Sequence, residues 1–361
     1  MKPKIRAEYI LITITILVIS GCASQTPQPF TIGVITPLTG FGAYWGSAVQ
    51  SGMNLAIEEL PPNQIHLIFE DSQANPTISA TAAKKLIEVD RVNALYVDFT
   101  APSQSTAPIA AASNVSMYYN SFDEEPLRIH PAAVKVFFDA RTICREATKI
   151  ASTNNLSTIA YIGPMIPIVP QCVDELRKRF LGTVLVETMP SPQDADYRTA
   201  LSKLQSQGAQ LLVSLAYENN YLAILKQKSE LGFVAPMVCT AAECYSEKIK
   251  KSIPIEANEG NTLVGLNVLP EFTQRFTSKN PNASSTVIAA AAFGYDAVHR
   301  MARAALACPT QQSTCLTSAL ISDREYHSAI ASTGFTSDRK EAIHMQFGIV
   351  HNGVVIPYDA A

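Results

Sequence analysis

Charged residues are scarce in this sequence, and motifs that carry chemistry are scarcer. Asp, Glu, Lys and Arg make up 16% of the 361 residues, whereas 47% are hydrophobic, and a chain of that composition is not intrinsically disordered. The net charge is −3 and no long Lys/Arg run occurs, so we expect no nucleic-acid partner. The six His are scattered, with no H-E-x-x-H and no G-x-S-x-G, so nothing indicates an enzyme, a metal site or a cofactor.

The N-terminus resembles an export signal. Lys2, Lys4 and Arg6 precede an apolar run at residues 9–19, which is too short to cross a membrane, since that takes about 20 apolar residues. The run ends in ISGC, which resembles the lipobox of bacterial lipoproteins, where the Cys is acylated and becomes the first mature residue. We therefore expect residues 1–21 to be a signal peptide, Cys22 to carry the lipid and residues 22–29 to form a tether. An ordinary signal peptide that ends in Cys is the alternative.

Removal of residues 1–21 takes away three basic residues and one acidic residue, which leaves a net charge of −5. Six Cys remain beyond Cys22, an even number that indicates disulfides in an oxidising compartment. No C-x-x-C is present, which disfavours a redox dithiol or a zinc knuckle. Free thiols are the alternative to disulfides. Local spacing favours the pairs Cys239–Cys244 and Cys308–Cys315, which leaves Cys144–Cys172.

Strand-like and helical segments alternate along most of the chain. The length suggests two domains, at roughly 150 residues each. Two α/β runs, separated by residues 132–152, predict two lobes with parallel sheets and right-handed crossovers. Asn75 is the expected cap of a helix that begins at Pro76. Near the C-terminus, Asn352-Gly353 predicts the turn of a hairpin that pairs with the sheet of the second lobe.

Ligands of open parallel sheets bind beyond the carboxyl ends of the strands, and two facing lobes would share a cleft there. The loop after the first strand reads TGFGAYWG and contains the only Trp, Trp45. Its G-x-G-x-x-x-G spacing is one residue too long for the phosphate turn of a dinucleotide site. We interpret Trp45 as a wall for a small organic ligand; packing beneath the lobe is the alternative.

Other loops offer hydroxyl and carboxyl groups. Thr100, Ser103 and Ser105 lie between the third strand and a helix predicted at residues 105–113, an arrangement that suits an anionic group; simple helix caps are the alternative. A carboxylate in the cleft would meet a ligand ammonium, whereas solvated surface acids are the alternative. The further candidates are Ser121, Phe122, Asp123, Tyr217, Glu218 and Glu243.

The stretch IGVITPLTGFGAYWGSAVQSGMNLAIEEL is similar to the opening of type I periplasmic solute-binding proteins of the branched-chain amino acid (Leu/Ile/Val) group. DSQANP, TAPSQSTAPIAAASNV and AAFGYDAVHRMARAAL extend the resemblance over nearly all of the mature chain. It implies two Rossmann-like lobes joined by three crossovers. The first lobe would comprise residues 30–139 and 269–334, and the second residues 140–268 and 335–361.

The resemblance also implies a function. The lobes would close on a small polar solute, an amino acid or related compound, and the loaded protein would dock on an ABC-transporter permease. Trp45 and Tyr217 would line the cleft, residues 100–105 would hold a carboxylate with Ala101 where the family has a ligand-binding Ser, and Glu243 would lie near the ammonium. We expect a monomeric lipoprotein, anchored to a membrane of the cell envelope or periplasm. A ligand sensor or an envelope interaction lipoprotein on the same scaffold is the alternative.

Overall fold

A computed structural model of the protein describes residues 29–357. The predictions for the signal peptide, for the lipid on Cys22 and for almost all of the tether therefore concern residues outside the described range. Two separate parallel sheets organise the described chain, as the alternation of strands and helices predicts. The two-lobed α/β fold is thereby confirmed.

The first sheet has five parallel strands in the order β2-β1-β3-β4-β5. Four of them, β1, β3, β4 and β5, are buried almost throughout, as strands covered by helices on both faces are. The strands are β1 (Phe30–Thr36), β2 (Ile65–Asp71), β3 (Ala94–Asp98), β4 (Ser116–Asn120) and β5 (Ala133–Lys135). The helices of this lobe are α1 (Ala43–Glu59), α2 (Pro76–Lys84), α3 (Thr100–Ala112), α4 (Glu125–Ile129), α11 (Pro270–Lys279), α12 (Ser285–Ala307) and α13 (Ser313–Ser322).

The second sheet has seven strands in the order β14-β13-β10-β9-β8-β6-β7, in which the pairs β10–β13 and β13–β14 are antiparallel and the others are parallel. Its strands are β6 (Thr158–Pro164), β7 (Thr183–Met189), β8 (Leu211–Val213), β9 (Met237–Thr240), β10 (Thr262–Leu266), β13 (Met345–His351) and β14 (Val354–Pro357). Its helices are α5 (Arg141–Thr153), α6 (Val169–Arg179), α7 (Arg198–Ser206), α8 (Glu218–Glu230), α9 (Ala241–Cys244) and α10 (Glu247–Ser252).

The chain passes between the lobes three times: after β5, after β10 and before β13. The short antiparallel pair β11 (Ser332–Phe335) and β12 (Glu341–Ile343) precedes the third passage. The sequence assigned residues 335–343 to the second lobe, but Phe335 lies in the core of the first and Glu341 pairs with Arg300 of α12. The third crossover is therefore close to residue 344, and the other lobe limits stay predictions.

Several local predictions are confirmed. The Asn75 side chain accepts hydrogen bonds from the amides of Thr77 and Ile78, with Pro76 as the first residue of α2. The turn between β13 and β14 has positive φ at Asn352 (50°) and Gly353 (73°), as an Asn-Gly hairpin requires. The three disulfides are Cys144–Cys172, Cys239–Cys244 and Cys308–Cys315.

One boundary differs in a way that matters for the site. The segment expected as a loop at residues 100–105 is the beginning of α3, which starts at Thr100. Pro102 is tolerated there because the first-turn amides of a helix have no partner inside the helix. Phe99 precedes the helix with φ of 71°, so the chain turns sharply between β3 and α3.

Close packing of α1 on α12 fixes the position of the first loop. A Cβ on Gly52 would lie 1.9 Å from the carbonyl oxygen of Ala291, and one on Gly294 would lie 2.3 Å from that of Val49. The two helices therefore approach at a distance that only glycine allows. Trp45, in the first turn of α1, is held against this pair of helices.

Candidate functional site

A cavity of about 1070 Å³ opens between the two lobes. Its wall contains residues that follow β3 and β4 in the first lobe and β6, β8 and β9 in the second. These are the carboxyl ends of parallel strands, where the loops of α/β proteins place ligands. Apolar and aromatic side chains dominate the wall, which is usual for small-molecule sites.

The first lobe contributes an aromatic surface beside a helix N-terminus. Trp45 is 6% exposed, and it lies both in the core of the lobe and along the cavity. Its ring centroid is 6.4 Å from that of Phe99 and 6.1 Å from that of Phe137. Both interpretations of Trp45, a cleft wall and a packed residue, therefore describe its position.

Polar groups lie next to these rings. Thr100 and Ala101 line the cavity at the N-terminus of α3, where amide hydrogens lack partners within the helix. Asn120, at the end of β4, is 4% exposed and lines the cavity, and its Nδ2 has no hydrogen-bond partner of normal geometry among the described residues. The Asn120 amide is therefore available to donate to a ligand. These donors suit a carboxylate.

The second lobe contributes a short stapled segment. Residues 240–243 all line the cavity and lie between Cys239 at β9 and Cys244 at the end of α9, which are joined in a disulfide. The Glu243 carboxyl has no ion-pair partner among the described residues. Burial raises the pKa of Glu243 to about 7, with a hydrogen bond from Thr240 counteracting it. Glu243 in turn adds to the effect of burial in raising the pKa of Tyr217 to about 12.

Aromatic rings meet across the cleft. The Tyr217 ring of the second lobe has its centroid 4.9 Å from that of Phe41 and 6.2 Å from that of Phe99, both in the first lobe. Thr286 of α12 also donates a hydrogen bond to the Ala242 carbonyl at 2.5 Å. The lobes thus touch at the edge of the cavity while its interior stays open.

Asp71, which ends β2, holds the first loop in place. It accepts hydrogen bonds from the Leu38 amide at 2.8 Å, from the Thr39 hydroxyl at 2.5 Å and from the Gln73 amide at 2.9 Å.

The structure gathers seven of the predicted site residues along the cavity, and their role in binding stays a prediction. They are Trp45, Thr100, Ala101, Ser121, Phe122, Tyr217 and Glu243. Ser121 also donates to the Thr100 hydroxyl at 3.1 Å, which orients that hydroxyl.

Four predicted residues lie away from the cavity wall. Ser103 is fully buried within α3, and the Ser105 hydroxyl donates to the Pro102 carbonyl. Because α3 begins at Thr100, both serines belong to helical turns and not to a loop. Asp123 accepts hydrogen bonds from the side chains of Gln104 and Gln171. Glu218 forms an ion pair with Lys248 at 3.5 Å.

Sequence reasoning missed six of the nine aromatic residues of the wall. Phe99 follows β3 directly and could have been found from its place at a strand end, as could Tyr44 from its place beside Trp45. Phe137 and Phe138 lie in the first crossover, where no periodicity marks a site. The missed aromatic residues of the wall are Tyr44, Phe99, Phe137, Phe138, Tyr245 and Phe347.

No cluster of His, Cys, Asp or Glu within residues 29–357 has the arrangement of a metal site. Over the same range, no helix combines the length and the apolarity needed to cross a bilayer.

A family model described as periplasmic binding protein matches residues 29–348. The chain belongs to the periplasmic binding protein family. The resemblance inferred from the sequence is thereby confirmed. The family is one of binding proteins rather than enzymes, it acts outside the cytoplasm, and its members serve ABC transporters by binding small solutes.

Solved structures share the fold of this family member at low sequence identity. A leucine-binding protein LivK from Thermotoga maritima superposes with a TM-score of 0.78 at 20% identity, over 91% of this chain and 97% of that one. A solute-binding protein from Rhodopseudomonas palustris, in complex with 3,4-dihydroxybenzoic acid, gives 0.79 at 17% identity, over 92% and 96%. LivJ from Streptococcus pneumoniae, in complex with isoleucine, gives 0.75 at 18% identity, over 91% and 97%. A comparison with curated proteins found no match.

Proposed function

We propose that this protein is the extracytoplasmic, lipid-anchored substrate-binding component of an ABC transporter, which captures a small solute by closure of its lobes and delivers it to the permease. The observation that carries the proposal is the cavity of about 1070 Å³ between the lobes, with aromatic rings from both of them along its wall. A ligand that touches both lobes favours the closed state over the open one. Membership of the family supports the same conclusion.

The wall favours a flat, largely apolar acid. Aromatic side chains line it from both lobes, and the charged side chains that reach it from the described chain are Glu243 and Lys250. Lys250 already pairs with Glu247 and lies over the Tyr245 ring, 5.2 Å from its centroid. A solute carboxylate is better placed at the α3 N-terminus and Asn120, which offer donors without a fixed charge.

Glu243 distinguishes two kinds of acid. An amino acid would place its ammonium at this carboxylate, as the sequence resemblance implies. An aromatic acid would instead place a hydroxyl or a ring edge there. Because burial favours the neutral form of Glu243, we favour an aromatic carboxylic acid. Solved relatives in complex with isoleucine and with 3,4-dihydroxybenzoic acid show that this fold accepts both.

A thermal-shift screen against a panel of amino acids and aromatic acids tests the proposal, since a true solute raises the melting midpoint by mass action. Ala101→Trp fills the cavity wall at the start of α3, and Ala112→Trp places the same side chain on the exposed end of the same helix. We expect a panel member to stabilise the wild type and Ala112→Trp but not Ala101→Trp. If no small solute shifts the midpoint while a purified envelope protein does, the envelope interaction role replaces transport.

The lipid anchor needs its own test. We propose that the full chain is acylated on Cys22 and held at a membrane as a monomer. Expression of the full chain in a bacterial host with a labelled fatty acid should yield a labelled protein, and Cys22→Ala should abolish the label. A Cys22→Ala protein that is still labelled would contradict the anchor but not solute binding.

A further inference from the structure

Trp45 is the only Trp of the chain, and its indole is fixed by a hydrogen bond in addition to packing. The indole Nε1 donates to Oδ1 of Asp98 at 3.2 Å. Asp98 ends β3, is fully buried and does not belong to the wall of the cavity. It therefore contacts a wall residue without facing the cleft itself.

Asp98 is held by neutral donors. The Thr36 hydroxyl donates to its Oδ2 at 2.6 Å, and the Tyr96 hydroxyl donates to Oδ1 at 2.9 Å. No ion pair reaches this carboxyl from the described residues. Burial raises the pKa of Asp98 to about 6, and the hydrogen bonds from Thr36, Tyr96 and Trp45 oppose that rise.

Packing alone would not call for an acid at this position. A buried carboxyl is costly without good partners, and an aliphatic side chain would fill the same space between β1 and α1. An ionised carboxylate, by contrast, only accepts hydrogen bonds, and the indole N–H only donates them. A buried carboxylate in a fixed position therefore holds the indole N–H in one direction. That direction sets which face and edge of the Trp45 ring border the cavity.

We propose that Asp98 is a positioning residue that fixes the orientation of Trp45 in the cleft wall and thereby sets the affinity for the solute. The part that concerns affinity rests on the proposed function. The part that concerns the ring does not, because the orientation of Trp45 can be measured without any solute.

The experiment uses the emission of Trp45, which has no other Trp to interfere with it. Asp98→Leu removes every acceptor, Asp98→Asn keeps one oxygen for the indole but no charge, and Thr36→Val removes a different donor to the same carboxyl as the control. In the solute-free protein we expect acrylamide quenching to rise and emission anisotropy to fall in Asp98→Leu, to change less in Asp98→Asn, and to stay at the wild-type level in Thr36→Val. Wild-type quenching in a folded Asp98→Leu protein would overturn the inference.

Solute affinity supplies the second readout. Because the Trp45 ring is no longer held in the orientation that the solute meets, we expect binding at least about tenfold weaker in Asp98→Leu than in Thr36→Val. Equal affinity in these two variants would overturn the inference and leave the proposed function intact. If the wild type binds nothing in the panel, the proposed function fails, and the quenching still decides whether Asp98 orients Trp45. Should Asp98→Leu not fold, quenching in Asp98→Asn above the Thr36→Val level supports the inference, and equal quenching overturns it.

Discussion

Gln171 donates its side-chain Nε2 to Oδ1 of Asp123 at 2.6 Å, and this hydrogen bond connects the two lobes. Asp123 follows β4 of the first lobe and is 1% exposed, whereas Gln171 lies in the first turn of α6 in the second lobe. The other oxygen of Asp123 accepts from Gln104 of α3 at 2.7 Å. One carboxylate thus holds a side chain from each lobe, so its bond to Gln171 depends on how closely the lobes approach.

Gln171→Glu should favour the open state. It places a second carboxylate against Asp123, and like charges in such contact cost several kcal/mol. We expect a larger radius of gyration by small-angle X-ray scattering in the absence of solute, and at least about tenfold weaker binding by calorimetry.

The matched control is Gln104→Glu, which places the same charge against the same Asp123 from within the first lobe. It should lower the melting midpoint without changing the radius of gyration, because the contact it disturbs is present in both open and closed states. Equal scattering and equal affinity for the two variants would show that the bond between Asp123 and Gln171 plays no part in closure.

Removal of different disulfides should affect the free energy of unfolding and the solute affinity to different extents. Cys144 and Cys172 are 28 residues apart, whereas Cys239 and Cys244 are 5 apart. Loop entropy therefore predicts a loss of about 3.5 kcal/mol for the first pair and about 2 kcal/mol for the second when both Cys become Ser. The order of the effects on affinity should be reversed, because the short loop of the second pair consists entirely of wall residues (240–243), whereas only residues 166–168 of the long loop of the first pair line the cavity. Denaturant unfolding and calorimetry of the two double variants measure both quantities.

The third disulfide provides the reference for that comparison. Cys308 and Cys315 are 7 residues apart in the first lobe, which makes their loop similar in length to that of Cys239–Cys244 but remote from the cavity. Replacing them by Ser should cost similar stability and leave solute affinity unchanged. If this variant loses as much affinity as the variant without Cys239–Cys244, the loss comes from a general decrease in stability and not from the segment at residues 240–243.

The fold could be read from the sequence because its signals are local, whereas much of the site could not. Alternating strands and helices, the Asn75 cap and the Asn352-Gly353 turn each depend on a few adjacent residues, and all three are confirmed. Ser103 was predicted to lie in a loop of the cleft. Because α3 begins at Thr100, Ser103 instead lies on a helical turn that is buried in the lobe. Gln171 and Asp123 are 48 residues apart and meet only when both lobes are in place. No pattern in either segment records that contact.

The buried ion pair of the first lobe should be sensitive to the loss of one partner. Arg300 of α12 donates to Glu341 of β12 at 2.8 Å, with 1% of each side chain exposed, and it stacks on the Phe335 ring at 4.9 Å from its centroid. Glu341→Gln leaves the guanidinium without its counter-ion, and we expect a loss of about 3–5 kcal/mol in the free energy of unfolding. The double change Arg300→Met with Glu341→Leu should cost much less, since it removes both charges. Denaturant unfolding of the single and double variants decides, and an equal loss in both would contradict this account.

Solute affinity should depend on pH through Glu243. Its pKa in the folded protein is raised from 4.5 to about 7, so the carboxyl is largely protonated at pH 6 and largely ionised at pH 8. A carboxylate solute binds better to the neutral form, and its affinity should fall as pH rises through 7, by at most about tenfold per pH unit. Calorimetry at pH 6 and pH 8 measures this, and Glu243→Gln, neutral at both values, should remove the difference. An affinity that instead rises with pH, and does so only while Glu243 is present, would mean that the carboxylate receives a cation, and the solute would then be an amino acid rather than an aromatic acid.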